Sequence, residues 1–106
     1  MIARLWRGEA MPDNAAAYQE HFNQQVYPAL NALAGYRGAW LLRRDVDGRV
    51  EFLAMTMWDS VESIKAFAGD DVQRAVVEPE ARAVLASFDS FARHFEVVSH
   101  PQVQGL

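Results

Sequence analysis

His94 is the residue of this 106-residue chain best suited to moving a proton, because imidazole alone has an unperturbed pKa that suits transfer near neutral pH. It falls in an alternating stretch that reads as a strand, where its other role is a histidine that is hydrogen-bonded or exposed. His21 stands on a helix one position off the apolar stripe, facing either the gap beneath that helix or solvent. His100 belongs to the tail, and the three histidines have no metal-ligand spacing. Trp58, Trp6, Trp40 and Phe67 have rings that could stack on an aromatic ligand, and in a small domain such rings also serve as core. Tyr27, just before Pro28, carries a hydroxyl that could orient a carbonyl or phenol, or simply pack as an amphipathic ring. Arg4, on the Trp6 side of the first strand, could hold a carboxylate or an enolate, or pair with Glu96 or another strand acid. The sequence has no phosphate-binding glycine loop, HExxH, serine-nucleophile motif, or nucleotide or flavin fingerprint. With no resident cofactor or metal expected, redox chemistry would come from the substrate or from something loosely bound.

These residues are positioned by elements organised around residues 49–69. Val50, Phe52, Ala54, Thr56 and Trp58 share one side of a strand at period two, and Leu53, Met55 and Met57 share the other. Each face needs a cover, and a chain this short has helices enough for one. The second cover is expected to be another copy of the chain, making a homodimer by sheet-to-sheet packing. After Trp58, Asp59 can cap the next helix while Glu62 reaches back. That junction sets Trp58 beside a helix N-terminus, at the edge of the space where a small-molecule ligand is expected.

In chain order, residues 1–8 read as the first strand, and Pro12 opens a helix with Tyr18, Phe22, Val26, Ala29 and Leu33 as its buried stripe. Pro28 predicts a kink near Val26 and Tyr27, with a short segment over residues 28–33 ended by Gly35. Residues 36–45 form the second strand, and Asp45-Val46-Asp47-Gly48 is a hairpin turn into the third, residues 49–58. A helix over residues 60–68 stops at Gly69, and residues 70–75 can add a turn. Glu78-Pro79-Glu80 opens a last helical stretch with Ala81, Val84, Leu85 and Phe88 on one face. Residues 91–98 are the last strand. The order strand, helix, strand, strand, helix, strand is the split βαβ arrangement: α+β, with four antiparallel strands and helices on one face. One domain is expected over residues 1–98, with residues 99–106 a C-terminal tail.

Composition excludes other classes. Apolar residues make up 51% and charged residues 23%, which argues for a packed core and against disorder. A net charge of -4, with ten dispersed basic residues, offers no stripe for nucleic acid. The absence of cysteine removes disulfides, thiol catalysis and thiolate metal sites. Arg4 and Arg7 interrupt the apolar N-terminus, so no signal peptide or membrane span is expected, and a cytoplasmic setting is.

The run Trp58-x-Ser60-x-Glu62-Ser63-Ile64-x-Ala66-Phe67-Ala68-Gly69 resembles the antibiotic biosynthesis monooxygenase family. So do Tyr36-Arg37-Gly38-Ala39, Glu78-Pro79-Glu80-Ala81-Arg82 and His94-Phe95-Glu96-Val97. The resemblance implies a ferredoxin-like monomer whose sheet packs on a second to give a dimeric α/β barrel. Its enzymes include cofactor-independent oxygenases of aromatic polyketides and haem-degrading oxygenases. The haem-degrading branch uses an Asn on the first strand, a Trp ending the third and a His on the following helix. Trp58 matches the Trp, the first strand lacks Asn, and Val76 and Val77 stand about where the His belongs, which argues against haem. The resemblance thus implies a cofactor-independent monooxygenase acting on a small aromatic or readily deprotonated compound. His94 would be its base, with Trp58, Tyr27, Phe67, His21 and Arg4 about the ligand. The other reading is a non-catalytic small-ligand-binding or accessory dimer of the same fold.

Overall fold

Burial along the strand Arg49–Trp58 (β3) alternates without a break, and this sets the architecture of the whole chain. Val50, Phe52, Ala54, Thr56 and Trp58 are buried, while Glu51, Leu53, Met55 and Met57 are half-buried on the opposite face. The computed structural model describes residues 1–99; the tail expected over residues 99–106, His100 included, lies outside the described residues apart from Ser99. Ile2–Ala10 (β1) and Tyr36–Val46 (β2) flank β3 antiparallel. On its other side β1 pairs with Ser87–Phe88 (β4) and Arg93–Glu96 (β5), giving the order β2-β3-β1-β4/β5. The chain is therefore α+β and ferredoxin-like, with one antiparallel sheet and its helices on one face.

Helices Pro12–His21 (α1), Tyr27–Asn31 (α2), Val61–Ala68 (α3) and Pro79–Val84 (α4) cover the face of the sheet that carries Phe52 and Trp58. Tyr18, Phe22, Ala15 and Ala81 pack with Phe52, Val50 and Ala54 in one cluster; Leu30, Ile64 and Trp58 form a second. Among the described residues no helix is long and apolar enough to cross a membrane.

The structure corrects several local expectations. Pro28 does not break the helix. Residues Phe22–Val26 widen into a π-helical turn, in which the Tyr27 amide donates to the Phe22 carbonyl five residues back, and the helix runs on to Asn31. The wider turn makes room for a proline ring that a regular α-helix would force against a carbonyl. Ser60, not Asp59, caps α3: its hydroxyl accepts from the Ser63 amide at 3.2 Å, and the Ser63 hydroxyl accepts from the Ser60 amide at 3.3 Å. Asp59 is drawn aside by Arg37. Gly35 is required beside this cap, because its φ is +84° and any Cβ at that position would collide with the Ser63 Cβ.

The last helix is shorter than its apolar spacing predicts. It ends at Val84, Leu85 is extended, and the Ala86 amide donates to the Glu9 carbonyl at 2.7 Å, so Phe88 sits in β4 rather than on a helix face. The closing strand is correspondingly broken. Its two pieces meet β1 in different registers, with residues 89–92 bulging between them. Into that bulge docks the non-helical segment of residues 69–78, through the Ala75 amide to the Ser90 carbonyl and the Ala92 amide to the Gln73 carbonyl.

Candidate functional site

Strand register brings three chemically distinct side chains together on the helix-facing side of the sheet. Arg4 of β1 lies opposite Thr56 of β3 on one side and opposite His94 of β5 on the other. One position along, Trp6 lies opposite Ala54. Above them is a cavity of about 50 Å³, closed from the helix side by Tyr18, Phe22 and Phe67 and from the 69–78 segment by Val76 and Val77. Its wall is mainly apolar, and none of its lining residues is acidic.

Arg4 is the charged group of that wall and is 4% exposed. Its Nη1 donates to the Val72 carbonyl and to His94 Nε2, the latter at 2.8 Å, and its Nη2 donates to the Arg74 carbonyl at 2.9 Å. The guanidinium carbon lies 5.8 Å from the Phe67 ring centroid. The expected partner Glu96 is instead opposite Ile2, and among the described residues no carboxylate comes within ion-pair distance of Arg4. Burial lowers the guanidinium pKa to about 10, so Arg4 remains a cation at neutral pH. A buried cation surrounded by neutral acceptors is uncommon, because its desolvation is ordinarily offset by an opposite charge.

His94 is half-buried beside Arg4 but does not line the cavity. Guanidinium nitrogens only donate, so Nε2 is the acceptor and the ring proton resides on Nδ1. Burial, and then the charge of Arg4, hold the imidazole below its usual pKa.

Phe67 lines the cavity as expected, and Trp6 does too, with its indole donating to the Asp89 carbonyl at 2.8 Å. Trp58 is placed one layer deeper. It is fully buried, its indole donates to Thr56 Oγ1 at 2.8 Å, and its ring packs on Phe67 and Tyr36 at 5.9 and 5.7 Å. Trp58 therefore supports the cavity wall without forming part of it. Tyr27 packs edge-on against Phe22 at 4.8 Å and faces a separate groove with Gln19, Asn23 and Arg43. His21 lies 6.3 Å from the Tyr18 ring, off the cavity wall. Trp40 is on the opposite face of the sheet and 43% exposed.

Of the wall residues that the sequence reading did not name for the site, two carry a hydroxyl, Tyr18 and Thr56. Both sit in runs that read as core, and their one signal was a hydroxyl within an otherwise apolar stripe. Burial raises the Tyr18 ionisation far above the ordinary phenol range, so it is a neutral phenol. Among the described residues no cluster of His, Asp or Glu is arranged to hold a metal ion.

The fold is shared with several solved structures. A presumed antibiotic biosynthesis monooxygenase from Bacillus cereus matches with a TM-score of 0.70 at 16% identity, over 99% of this chain and 98% of that one. The haem degrader MhuD from Mycobacterium tuberculosis, with two haems in its active site, matches with a TM-score of 0.63 at 22% identity, over 96% and 100%. A protein of unknown function from Nitrosomonas europaea, NE2512, matches with a TM-score of 0.65 at 19% identity, over 98% and 95%. No curated protein matches the chain. The model of the antibiotic biosynthesis monooxygenase family matches residues 1–79, most of the chain and all of β1, α1, α2, β2, β3 and α3. The chain belongs to the antibiotic biosynthesis monooxygenase family.

Proposed function

We propose that this chain is a cytoplasmic, homodimeric, cofactor-independent monooxygenase whose substrate is a small aromatic or readily deprotonated compound held in the Arg4–Phe67 cavity. The observation that carries the reading is the wall itself: apolar, aromatic on two sides, with one buried cation and no carboxylate. A flat weak acid is held there by its body, and its anion is favoured by Arg4. At about 4 Å and an effective dielectric near 20, a unit charge pair gains about 4 kcal/mol. That is about three pKa units, set against the desolvation that raises Tyr18 in the same wall, so the acids best served are those that ionise more readily than a simple phenol. The electron-rich anion then reacts with dioxygen itself. One oxygen atom enters the substrate, the other leaves as water, and the substrate supplies all four electrons.

His94 enters this scheme as a positioning residue for Arg4 instead of the base expected from its residue type. Its Nε2 lone pair is engaged by Arg4, its pKa is held down, and it stands outside the cavity wall. The proton passes to water as the acid ionises on binding. The homodimer is supported by the face of the sheet turned away from the helices. Leu5, Leu53, Met55 and Met57 are half-buried there and Trp40 and Leu42 exposed, an apolar surface suited to a second copy.

Haem is disfavoured in this reading: no histidine, cysteine or methionine lines the cavity, Tyr18, the one side chain there of a type that ligates haem iron, is held as a neutral phenol by burial, and Val76 and Val77 occupy the wall. A second reading, a non-catalytic binder of small ligands, draws on one observation: no wall residue accepts a proton at neutral pH. Oxygen-electrode traces with a panel of phenols, quinols and enolisable ketones decide between the two. Substrate-dependent uptake that disappears in Arg4→Met is expected; tight binding of panel members with no uptake would leave the binder reading.

A further inference from the structure

Resting on that reading of the cavity, we infer that its ligand binds as a compact monoanion with two oxygens sharing the charge, and that Arg4 exchanges the Val72 and Arg74 carbonyls for them. A carboxylate and the enolate of a 1,3-dicarbonyl compound are the two forms such a ligand takes. Three observations lead to this class.

The first is size. The cavity measures about 50 Å³, whereas a cavity that takes up benzene measures roughly 150 Å³, so an aromatic ligand enters only if a wall moves. The second is which wall. The sheet is laddered along its length and the α1 rod is internally bonded, but the 69–78 segment has neither helix nor strand. Besides one turn of its own and its junctions with the helices on either side, it is tied by its two bonds to the bulge, by Arg82 Nε donating to the Val77 carbonyl at 3.1 Å, and by the carbonyls of Val72 and Arg74 on Arg4. Its residues Val76 and Val77 close the cavity.

The third is charge. Arg4 presents Nη1 and Nη2 to two separate neutral oxygens, a planar fork that matches two oxygens of one anion equally well. Hydrogen bonds from a guanidinium to an anion are roughly twice as strong as those to neutral acceptors. An entering anion therefore replaces both acceptors that Arg4 gives up with stronger ones, while a neutral amide of the same shape offers one carbonyl oxygen and no charge. His94 stays on Nη1 and keeps the fork aimed as its other partners change. Selection for charge and opening of the wall are thus one event.

The test titrates the unmodified protein with 1-naphthoate and with its neutral near-isostere 1-naphthamide by calorimetry, and follows amide hydrogen exchange at Ala75 and Ala92. Naphthoate is expected to bind at least tenfold more tightly and to speed exchange at both amides. Arg4→Lys, which keeps the charge without the fork, is expected to lose about tenfold for naphthoate and little for naphthamide. Equal affinity for the two compounds, binding of neither, or naphthoate binding with unchanged exchange overturns the inference. Its failure is separable from that of the oxygenase reading. Oxygen uptake on neutral substrates without preference for anions sinks the inference alone, and a naphthoate preference with no oxygen uptake sinks the oxygenase alone.

Discussion

Arg4 Nη1 and His94 Nε2 lie 2.8 Å apart on adjacent strands, joining a buried guanidinium to an imidazole that can only accept from it. The pair is the electrostatic centre of the helix-facing side of the sheet, and its consequences are measurable before any substrate is known.

The first concerns pH. Folding holds the His94 pKa below its usual 6.5, so as pH falls through about 6.5 the unfolded chain takes up this proton before the folded one. The stability that His94 contributes is whole above that pH and declines from there toward the folded-state pKa. Arg4, which faces the ring, stays charged throughout. Urea unfolding of wild type and His94→Gln at pH 7.5 and 5.5 is expected to show the advantage of wild type shrinking at pH 5.5. An equal advantage at both values contradicts the assignment.

The second separates positioning from proton transfer. A glutamine at 94 can still offer a carbonyl oxygen to Arg4, and an alanine cannot. With any substrate that supports oxygen uptake, His94→Gln is expected to stay within about threefold of wild type. His94→Ala is expected to fall by about tenfold or more, the value of a charge-assisted hydrogen bond at 1.5–3 kcal/mol. Equal loss in both variants would make His94 the base after all.

The third concerns the support beneath the cavity. Trp58 Nε1 has Thr56 Oγ1 as its partner in a fully buried position. Thr56→Val keeps the shape and orphans the indole donor, at a cost of about 1–3 kcal/mol. Trp58→Ala also removes the packing on Phe67 and Tyr36 and is expected to cost about 3–5 kcal/mol. Urea midpoints compared at constant slope report both losses, and a Thr56→Val protein as stable as wild type would show the bond to be dispensable.

The fourth addresses assembly. A carboxylate at Met55, midway between Leu5 and Trp40 on the face away from the helices, would have to be buried between two sheets. Sedimentation velocity at micromolar concentration is expected to give a dimer for wild type and a monomer for Met55→Glu. A wild-type monomer would remove sheet-to-sheet packing from the proposal.

The fold was readable because period-two alternation in β3 sets one apolar row on each side of the strand, and because Asp45 to Gly48 spells its own turn. The cavity proposed as the site was readable in part. Arg4 and Phe67 line the cavity and His94 adjoins it, since strand phase fixes which side each residue takes. Trp58 shares that phase, but phase cannot tell a ring in the wall from one beneath it. Tyr27 and His21 lie off this cavity because the π-turn shifts the helical phase that follows and because a position one step off a stripe turns either way. What holds Arg4 was invisible for a different reason. Two of its partners are backbone carbonyls, at Val72 and Arg74, and carbonyls carry no residue signature.

The strand arrangement also has a consequence for the order of assembly. β1 lies inside the sheet, between β3 and the two pieces of the closing strand, and Arg4 meets a partner 90 residues away. On a ribosome delivering the chain from its first residue, β1 and the β2–β3 hairpin are made early, but one edge of β1 stays open until the last strand emerges. Contacts of such long sequence separation slow folding and leave that edge exposed while it waits. The guanidinium has none of its partners during this interval, since Val72, Arg74 and His94 all come late in the chain.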